Sequence, residues 1–347
     1  MIFTLALVII FVFLRQTIRT LIFSFNATPD FDFMIYFARH IGATVENDLM
    51  LIPAPLGDGS IRKLSFGPEF KITQHHYVLK EDLIIKRNAS GQGNELITVF
   101  FYSNEQPLGI SYGSDPHIQF SERDESAIQV TSNDLNSTIR FPAGYMIHYM
   151  VIAVSPAYLK SLLALKEQNT TIETITGSGN SFLFLEKMTA EIRLLQKNLG
   201  AVDISNSLSQ FYMHVKVQEL LYLLFERLSK RESIPHKNIN SADAARLLHI
   251  RNEVLSDLST PPVLSELAGI AAMSETKLKQ LFKQAFGDTI YNYFQQARME
   301  EAAFLLKQGK RSVAEVGYEL GFTNLSHFSR LFERHYGLKP KRYGSTG

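Results

Sequence analysis

Gln280 and Arg330 are the side chains whose type and position most clearly suggest a chemistry, because they lie at equivalent places in an internal repeat. Shifting the sequence by fifty residues superposes two sets of residues, most of them apolar. The sets are Leu278, Leu281, Phe282, Phe286 and Gly287, and Phe328, Leu331, Phe332, Tyr336 and Gly337. A glutamine can form two hydrogen bonds with one adenine, and an arginine can form two with one guanine. The repeat therefore predicts two copies of an element that contacts nucleic-acid bases.

Each copy is predicted to be an α-helix that follows a shorter helix and a tight turn. The apolar residues recur at i, i+3, i+4 and i+8, which places them on one helix face, and a glycine able to end the helix follows. The shorter helices are expected at Leu264 to Ala271 and at Ser312 to Leu320. Short helix, turn and longer helix together make a helix-turn-helix unit. We predict such units at about 263–287 and 312–337, joined by an amphipathic helix at 290–307.

The side of each longer helix opposite its apolar face is expected to enter the major groove of DNA. We predict base contacts from its polar residues, which are Thr276, Lys279, Gln280, Lys283, Asn324, Ser326, Ser329 and Arg330. Basic and hydroxyl side chains beside the two units are predicted to contact phosphates, which sets affinity and register. These residues are Arg298, Lys310, Arg311, Ser312, Lys339, Lys341 and Arg342. The expected partner is double-stranded DNA.

The most diagnostic stretch of the sequence is SVAEVGYELGFTNLSHFSRLFERHYGLKPKRY. It contains the complete pattern A-x3-GF, F-x3-F and G-x-x-P-x-x-Y, and the segment from Leu264 to Tyr343 resembles the DNA-binding domain of the AraC/XylS family throughout. One departure is Ala272 in the first turn, where many members of the family have glycine. The segments PPVLSELA and ETKLK are similar to the branch that contains pyochelin-type regulators of siderophore uptake.

The resemblance implies a bacterial, sequence-specific transcription regulator, an activator more often than a repressor. It implies no catalytic site, metal or cofactor. The partners it implies are RNA polymerase, a small-molecule effector bound by the amino-terminal domain, and a second copy of the chain in a homodimer. The implied location is the cytoplasm.

Residues 48–238 are predicted to form a β-rich domain that ends in helices, followed by an all-α DNA-binding domain at 239–347. Clusters rich in glycine, proline and asparagine separate short apolar stretches, which is typical of a jelly-roll or cupin-like domain. The strands are expected at 71–79, 82–86, 96–102, 127–131, 137–141 and 145–154, and the helices at 157–167, 182–198 and 207–231. The fold class is therefore α+β, with two domains.

The interior of the β-rich domain is the expected effector pocket. The aromatic residues predicted to line it are Phe100, Tyr102, Phe141 and Tyr149, which would equally suit an ordinary core. A cupin-like metal enzyme fused to a DNA-binding domain is the alternative from another class. The candidate ligands His75 and His76 are adjacent, so in a strand they point to opposite faces, while His117 and His148 are isolated. The sequence therefore predicts no metal site.

Composition is compatible with two compact domains and excludes some chemistry. The chain has 347 residues, 45% of them hydrophobic, a formal net charge of +1 and no cysteine. Disulfides and cysteine-ligated zinc are therefore excluded. Residues 1–33 begin with an uncharged apolar stretch that we leave out of the predicted fold. Three interpretations remain open: a translated extension ahead of a start at Met34, an inner-membrane anchor through residues 1–25, or a structured first helix.

Overall fold

The computed structural model describes residues 20–90, 95–103, 108–112, 118–120, 127–202 and 206–345. Its strands are β1 (Thr20–Asn26), β2 (Val45–Glu46), β3 (Leu49–Leu51), β4 (Gly57–Ser65), β5 (Phe70–Leu79), β6 (Asp82–Asn88), β7 (Ile97–Tyr102), β8 (Leu108–Ser111), β9 (Ile118–Phe120), β10 (Ile128–Ser132), β11 (Ser137–Phe141), β12 (Met146–Val154) and β13 (Leu183–Glu186). Its helices are α1 (Phe33–Ile41), α2 (Pro156–Leu163), α3 (Thr170–Thr176), α4 (Ala190–Gly200), α5 (Ser209–Ser229), α6 (Ser241–Ser256), α7 (Leu264–Ile270), α8 (Glu275–Phe286), α9 (Ile290–Lys307), α10 (Val313–Glu319), α11 (Leu325–Tyr336) and α12 (Pro340–Gly344). The predicted fold class is confirmed: a β-rich amino-terminal domain with helices precedes a helical carboxyl-terminal domain.

Two sheets face each other in the β-rich domain. The smaller sheet has the strand order β1-β6-β11-β8-β9, and the larger one has the order β13-β10-β7-β12-β5-β4-β3-β2. Side chains from both sheets, such as Ile85 and Phe141 from the smaller and Tyr77 and Tyr149 from the larger, share one core. The space between the two sheets is therefore the interior of this domain.

Helices α2 to α5 cover the other face of the larger sheet. Val99, Met150 and Ile152 from that sheet form a second core with Leu220 and Leu224 of α5. Strand β7 is buried at all six positions because it has a core on each side, so it does not show the alternation of a half-exposed strand. The helices thus add a third layer to the domain.

The six predicted strands are confirmed to within about two residues, but two other expectations for this domain were wrong. Residues 183–186 form strand β13 rather than the start of a helix, because they pair with β10 at the sheet edge. Residues 20–33, which we left outside the fold, include β1, which pairs in parallel with β6. Phe23 is only 5% exposed, so this segment belongs to the core.

The rest of the apolar segment, residues 1–19, lies outside the described residues. Among the residues that are described, no helix is long and apolar enough to cross a membrane. The part of the proposed anchor that can be seen, from Thr20 onward, is a strand of the smaller sheet.

Helix α9 organises the carboxyl-terminal domain because it contributes to both of its apolar clusters. Tyr293 and Phe294 in its first half pack with the first repeat copy. Met299, Ala302 and Leu306 in its second half pack with the second copy. Helix α6, which the sequence analysis did not predict, begins at the Asn240 cap and adds Leu247 and Leu248 to the first cluster.

Candidate nucleic-acid interface

The second helix-turn-helix unit consists of α10, a turn and α11. Ser312 accepts a hydrogen bond from the backbone of Glu315, and the Glu315 carboxylate accepts one from the backbone of Ser312, so the two residues form a capping box. In the turn, Gly321 has a positive φ of 75°, and a Cβ there would lie 1.8 Å from the carbonyl oxygen of Ser259. Only glycine fits this turn, because both the backbone conformation and the close approach exclude a side chain.

The predicted base-contacting face of α11 is at the surface. Phe328 and Phe332 on the opposite side are fully buried. Ser326 and Arg330 are exposed, and Ser329 is half-buried. Arg330 donates from Nε to the carbonyl oxygen of Ser326 at 3.4 Å, which is at the long end for a hydrogen bond. Its guanidinium is thus carried on the exposed first half of the helix, where a recognition helix contacts DNA.

Asn324 has a second role that the sequence analysis did not assign. It is the N-cap of α11, and its side-chain oxygen accepts a hydrogen bond from the backbone of His327 at 3.0 Å. The cap engages the oxygen that a bidentate contact with adenine would also need. A base contact by Asn324 through both side-chain atoms would therefore share this oxygen with the cap, using its second lone pair.

The first unit consists of α7, a turn and α8, and its turn contains a residue in an uncommon conformation. Ala272, at the position equivalent to Gly321, has a positive φ of 47°. A left-handed conformation costs a residue with a Cβ about 1–2 kcal/mol. Helix α8 then begins at the N-cap Ser274 and ends at Gly287, which has a φ of 82°. The geometry of the two turns is therefore shared although the residue differs.

Gln280 and Lys283 on α8 contact the segment that joins the two domains. Gln280 is half-buried and donates from Nε2 to the carbonyl oxygen of Pro235 at 3.1 Å. Lys283 donates from Nζ to the Glu232 carboxylate at 2.6 Å. The joining segment therefore lies across this part of the helix, and the base contacts by Gln280 and Lys283 stay predictions.

Further contacts hold the joining segment against α8. Arg231 donates to the backbone carbonyl oxygens of Gln284 and Ala285, at 2.9 and 3.3 Å, and is also paired with Glu186. Gln284 and Lys237 exchange two hydrogen bonds of 2.9 Å. Thr276 and Lys279, by contrast, are exposed near the start of α8. The first helical turns remain accessible, while the last turns are covered.

The predicted phosphate contacts divide into exposed and buried residues. Arg298 was wrongly assigned, because it is only 3% exposed. It donates from Nε to the carbonyl oxygen of Leu320 at 3.1 Å and lies over the Phe322 ring at 3.9 Å. Arg298 therefore ties α9 to the turn of the second unit. The other predicted residues, which are Lys310, Arg311, Ser312, Lys339, Lys341 and Arg342, are all exposed, although Arg311 pairs with Glu319 at 2.8 Å.

A family model described as "Helix-turn-helix domain" matches residues 267–345. This match covers both units and α9, which connects them. The carboxyl-terminal segment is an AraC/XylS-type helix-turn-helix domain.

Two bacterial transcriptional regulators are similar in sequence to this protein. One matches only a stretch of 80 residues, and the other matches most of the chain. An uncharacterised HTH-type transcriptional regulator of Haemophilus influenzae is 34% identical over 80 residues, which are 23% of this chain and 27% of that protein. The HTH-type transcriptional activator RhaS of Escherichia coli is 24% identical over 301 residues, which are 84% of this chain and 95% of that one. Both relatives are described as regulators of transcription, not as enzymes.

A similarity to a solved structure extends over both domains. ToxT from Vibrio cholerae is 15% identical and covers 80% of this chain and 98% of its own, with a TM-score of 0.28.

Ahead of the helix-turn-helix domain, a cavity of about 100 Å³ lies between the two sheets of the β-rich domain. Phe100 and Tyr149, two of the four aromatic residues named in the sequence analysis, are in its wall. Tyr102 and Phe141 are instead buried in the neighbouring core, at 1% and 0% exposure. The charged side chains in the wall, which were not predicted from sequence, are Asp32, Lys63, Lys71 and Arg87, and His75 lies beside them. No local pattern pointed to them, because strands far apart in sequence bring them together.

The histidines that the structure describes are not arranged as a metal site. His75 points into the domain and stacks on Tyr149, and burial lowers its pKa to about 3. His76 and His148 lie near each other, with ring centroids 5.4 Å apart, on the other face of the sheet. His117 lies outside the described residues. Among the residues that are described, no three histidine or carboxylate side chains are close enough to hold one ion.

Proposed function

We propose that the chain is a sequence-specific DNA-binding regulator of transcription, more specifically an activator. The observation that carries this proposal is the exposed Arg330 on α11, with a buried aromatic face behind it and a second unit of equivalent geometry at α8. An arginine on the outer side of a recognition helix can pair with O6 and N7 of guanine. The description of the similar protein RhaS as an activator supports activation, rather than repression, of transcription.

DNA binding is proposed to use both units in one chain. Thr276, Lys279, Gln280, Lys283, Asn324, Ser326, Ser329 and Arg330 remain the proposed base contacts. Lys310, Arg311, Ser312, Lys339, Lys341 and Arg342 remain the proposed phosphate contacts, and Arg298 is removed from this group. Contacts by Gln280 and Lys283 require the joining segment to move, since Pro235 and Glu232 occupy their polar atoms.

The test begins by selecting DNA from a random pool with the purified full-length protein. Binding of the selected site and of its single-base variants is then compared for the wild type, Arg330→Ala and the control Arg193→Ala. Arg193 is an exposed arginine on α4 of the β-rich domain. Arg330→Ala is expected to cost about 1–3 kcal/mol and to relax preference at one base pair, while the control binds normally. Enrichment of no sequence, or an equal loss on every site variant, would overturn the proposal.

Two protein partners are proposed: RNA polymerase, on the resemblance alone, and a second copy of the chain, which a surface of the structure also supports. Helix α5 carries exposed apolar side chains, among them Phe211 and Tyr222, which are 68% and 61% exposed. We propose this face for the homodimer, since exposed apolar patches commonly mark interfaces. Sedimentation of the wild type and of Phe211→Ser tests it. A monomeric wild type at micromolar concentration would contradict the homodimer.

The narrower resemblance to siderophore-uptake regulators stays a prediction that concerns the effector. It rests on the residues of PPVLSELA and ETKLK. Neither relative described above carries that description. Binding of a ferric siderophore by the purified protein would test it.

A further inference from the structure

The cavity between the two sheets has an apolar wall that is interrupted by charged groups. Phe25, Ile85, Phe100, Ile139 and Val151 form much of the apolar part. A cavity of about 100 Å³ is far larger than the ~10–15 Å³ that one water needs, and it approaches the ~150 Å³ of a cavity known to admit benzene. The space therefore suits a molecule the size of one ring or of a short hydrocarbon chain.

Arg87 is a buried cation in this wall, at 4% exposure. It donates from its two terminal nitrogens to Thr131 Oγ1 at 3.1 Å and to the carbonyl oxygen of Leu135 at 3.0 Å, which are both neutral acceptors. Its Nε is fully buried and has no hydrogen-bond partner among the described residues. An unsatisfied donor on a buried charge is costly, so a ligand that supplies an acceptor there would remove the cost.

His75 provides a second unpaired atom in the same wall. It is 1% exposed, and its Nδ1 is buried without a hydrogen-bond partner among the described residues. Its Nε2 lies 3.0 Å from the hydroxyl of Thr73. When that hydroxyl donates to Nε2, Nδ1 carries the hydrogen and can donate to a ligand.

The wall of the cavity contains three cationic side chains and one carboxylate. Arg87, Lys63 and Lys71 contribute three positive charges, while Asp32, which pairs with Lys63, contributes one negative charge. His75 adds no charge near neutral pH, since burial lowers its pKa to about 3. Asp30 also interacts with Lys71, and Asp134 interacts with Arg87, so carboxylates outside the wall offset part of this positive charge. Arg87 itself is buried in a largely apolar surrounding, where electrostatic attraction is stronger than in water.

We propose that this cavity binds a small organic acid, with its carboxylate held at Arg87 and His75 and its apolar body against Phe25, Phe100 and Val151. The bound acid would be the effector of the regulator, and that regulatory meaning rests on the proposed function. Binding itself does not depend on it. A charge-assisted hydrogen bond inside the protein contributes about 1.5–3 kcal/mol, so the acid is expected to bind at least about 10 times more tightly than its neutral amide.

The test uses titration calorimetry on the purified full-length protein without DNA. Benzoate and hexanoate are the probes, with benzamide and hexanamide as neutral counterparts of the same shape. Tighter binding of an acid than of its amide supports the proposal. Equal binding of acid and amide, or binding of neither acid, overturns it. These outcomes require no variant and therefore do not depend on how a substitution affects folding.

Two pairs of variants locate the bound acid. Arg87→Gln is expected to weaken acid binding at least about 10-fold and to leave amide binding unchanged, while Arg87→Lys retains part of the affinity. Ala153→Leu fills the cavity wall, and Ala157→Leu adds the same atoms at an exposed site on α2. Loss of binding in Ala153→Leu alone supports the cavity, and equal binding in both leucine variants overturns it. If the protein binds DNA but no acid, only this inference is rejected. If it binds an acid but no specific DNA sequence, only the proposed function is rejected.

Discussion

Lys283 of the first recognition helix pairs with Glu232 of the joining segment, with 2.6 Å between Nζ and the carboxylate oxygen. The pair fixes a proposed DNA-contacting cation to the β-rich domain. Its carboxylate side chain is 70% exposed, so solvent screens the interaction. The contact is therefore weak enough for DNA to displace it.

Glu232→Gln is expected to raise affinity for the selected DNA site, because Lys283 no longer has a charged competitor. An exposed ion pair contributes up to about 1 kcal/mol, so the gain should be at most about fivefold. The matched control is Glu226→Gln, which removes the same charge from a pair with Lys230 on α5. Fluorescence anisotropy with labelled DNA measures both variants. An equal gain in both would show that only overall charge matters.

Gly321 and Ala272 lie at equivalent turn positions, but exchanging glycine and alanine should change the free energy of unfolding in opposite directions at the two sites. Gly321→Ala is expected to lower the free energy of unfolding by about 1–3 kcal/mol, because the new Cβ would overlap the Ser259 carbonyl oxygen. Ala272→Gly removes the strain of a φ of 47° and is expected to raise it by up to about 1 kcal/mol, after the entropy cost of glycine. Urea denaturation followed by circular dichroism measures both. Destabilisation by Ala272→Gly would contradict the strain at that turn.

Arg298→Met should affect stability and not the salt dependence of DNA binding. The substitution removes a charged hydrogen bond to Leu320 and the stacking on Phe322, at a cost of about 2 kcal/mol. Lys341→Gln, on the exposed α12, is the matched comparison, and it should reduce the slope of log affinity against log salt by about 1. Affinity measured at several salt concentrations separates the two. A reduced slope in Arg298→Met would restore Arg298 as a phosphate contact.

The buried His75 makes the stability of the chain depend on pH. Its pKa is lowered by burial from 6.5 to about 3 in the folded state, so the unfolded chain binds the extra proton between these values. Stability is therefore expected to fall as pH decreases from 6.5 toward 3, with up to about 1.4 kcal/mol per pH unit from this group. His75→Gln should flatten that part of the profile. Denaturation at pH 7, 5.5 and 4.5 measures it, and parallel wild-type and variant curves would refute the assignment.

The elements that repeat or alternate regularly were predictable from sequence. Both ends of α9, and the ends of α8 and α11 at Gly287 and Gly337, were predicted, because each helix has an apolar stripe and an identifiable end. Strand β13 was mistaken for a helix because Phe182 to Leu185 is apolar on both faces, and such a run has no period that distinguishes strand from helix. The strand is apolar throughout because it is buried on both faces, and this becomes clear only when the packing of the sheets and helices is known.

The roles of individual polar residues were harder to predict. Arg298 and Arg330 are both arginines near helix-turn-helix units, yet one is buried under a turn and the other is exposed. Gln280 lies at the helix position that the repeat predicts. The joining segment that covers it, however, comes from outside the repeat. The charged wall of the cavity is set by strand pairing over long sequence distances, as in the alignment of Phe25 with Arg87. Contacts of this kind produce no recognisable pattern in a short stretch of sequence.

Because α9 is a single helix of 18 residues built into both units, the distance between the recognition helices cannot vary freely. Such a helix spans about 27 Å, somewhat less than one turn of B-form DNA. A duplex whose two recognition sequences stand at a different spacing must bend, or leave one unit unbound. The length of α9 thus limits the spacing of two DNA sequences that both units can bind at the same time.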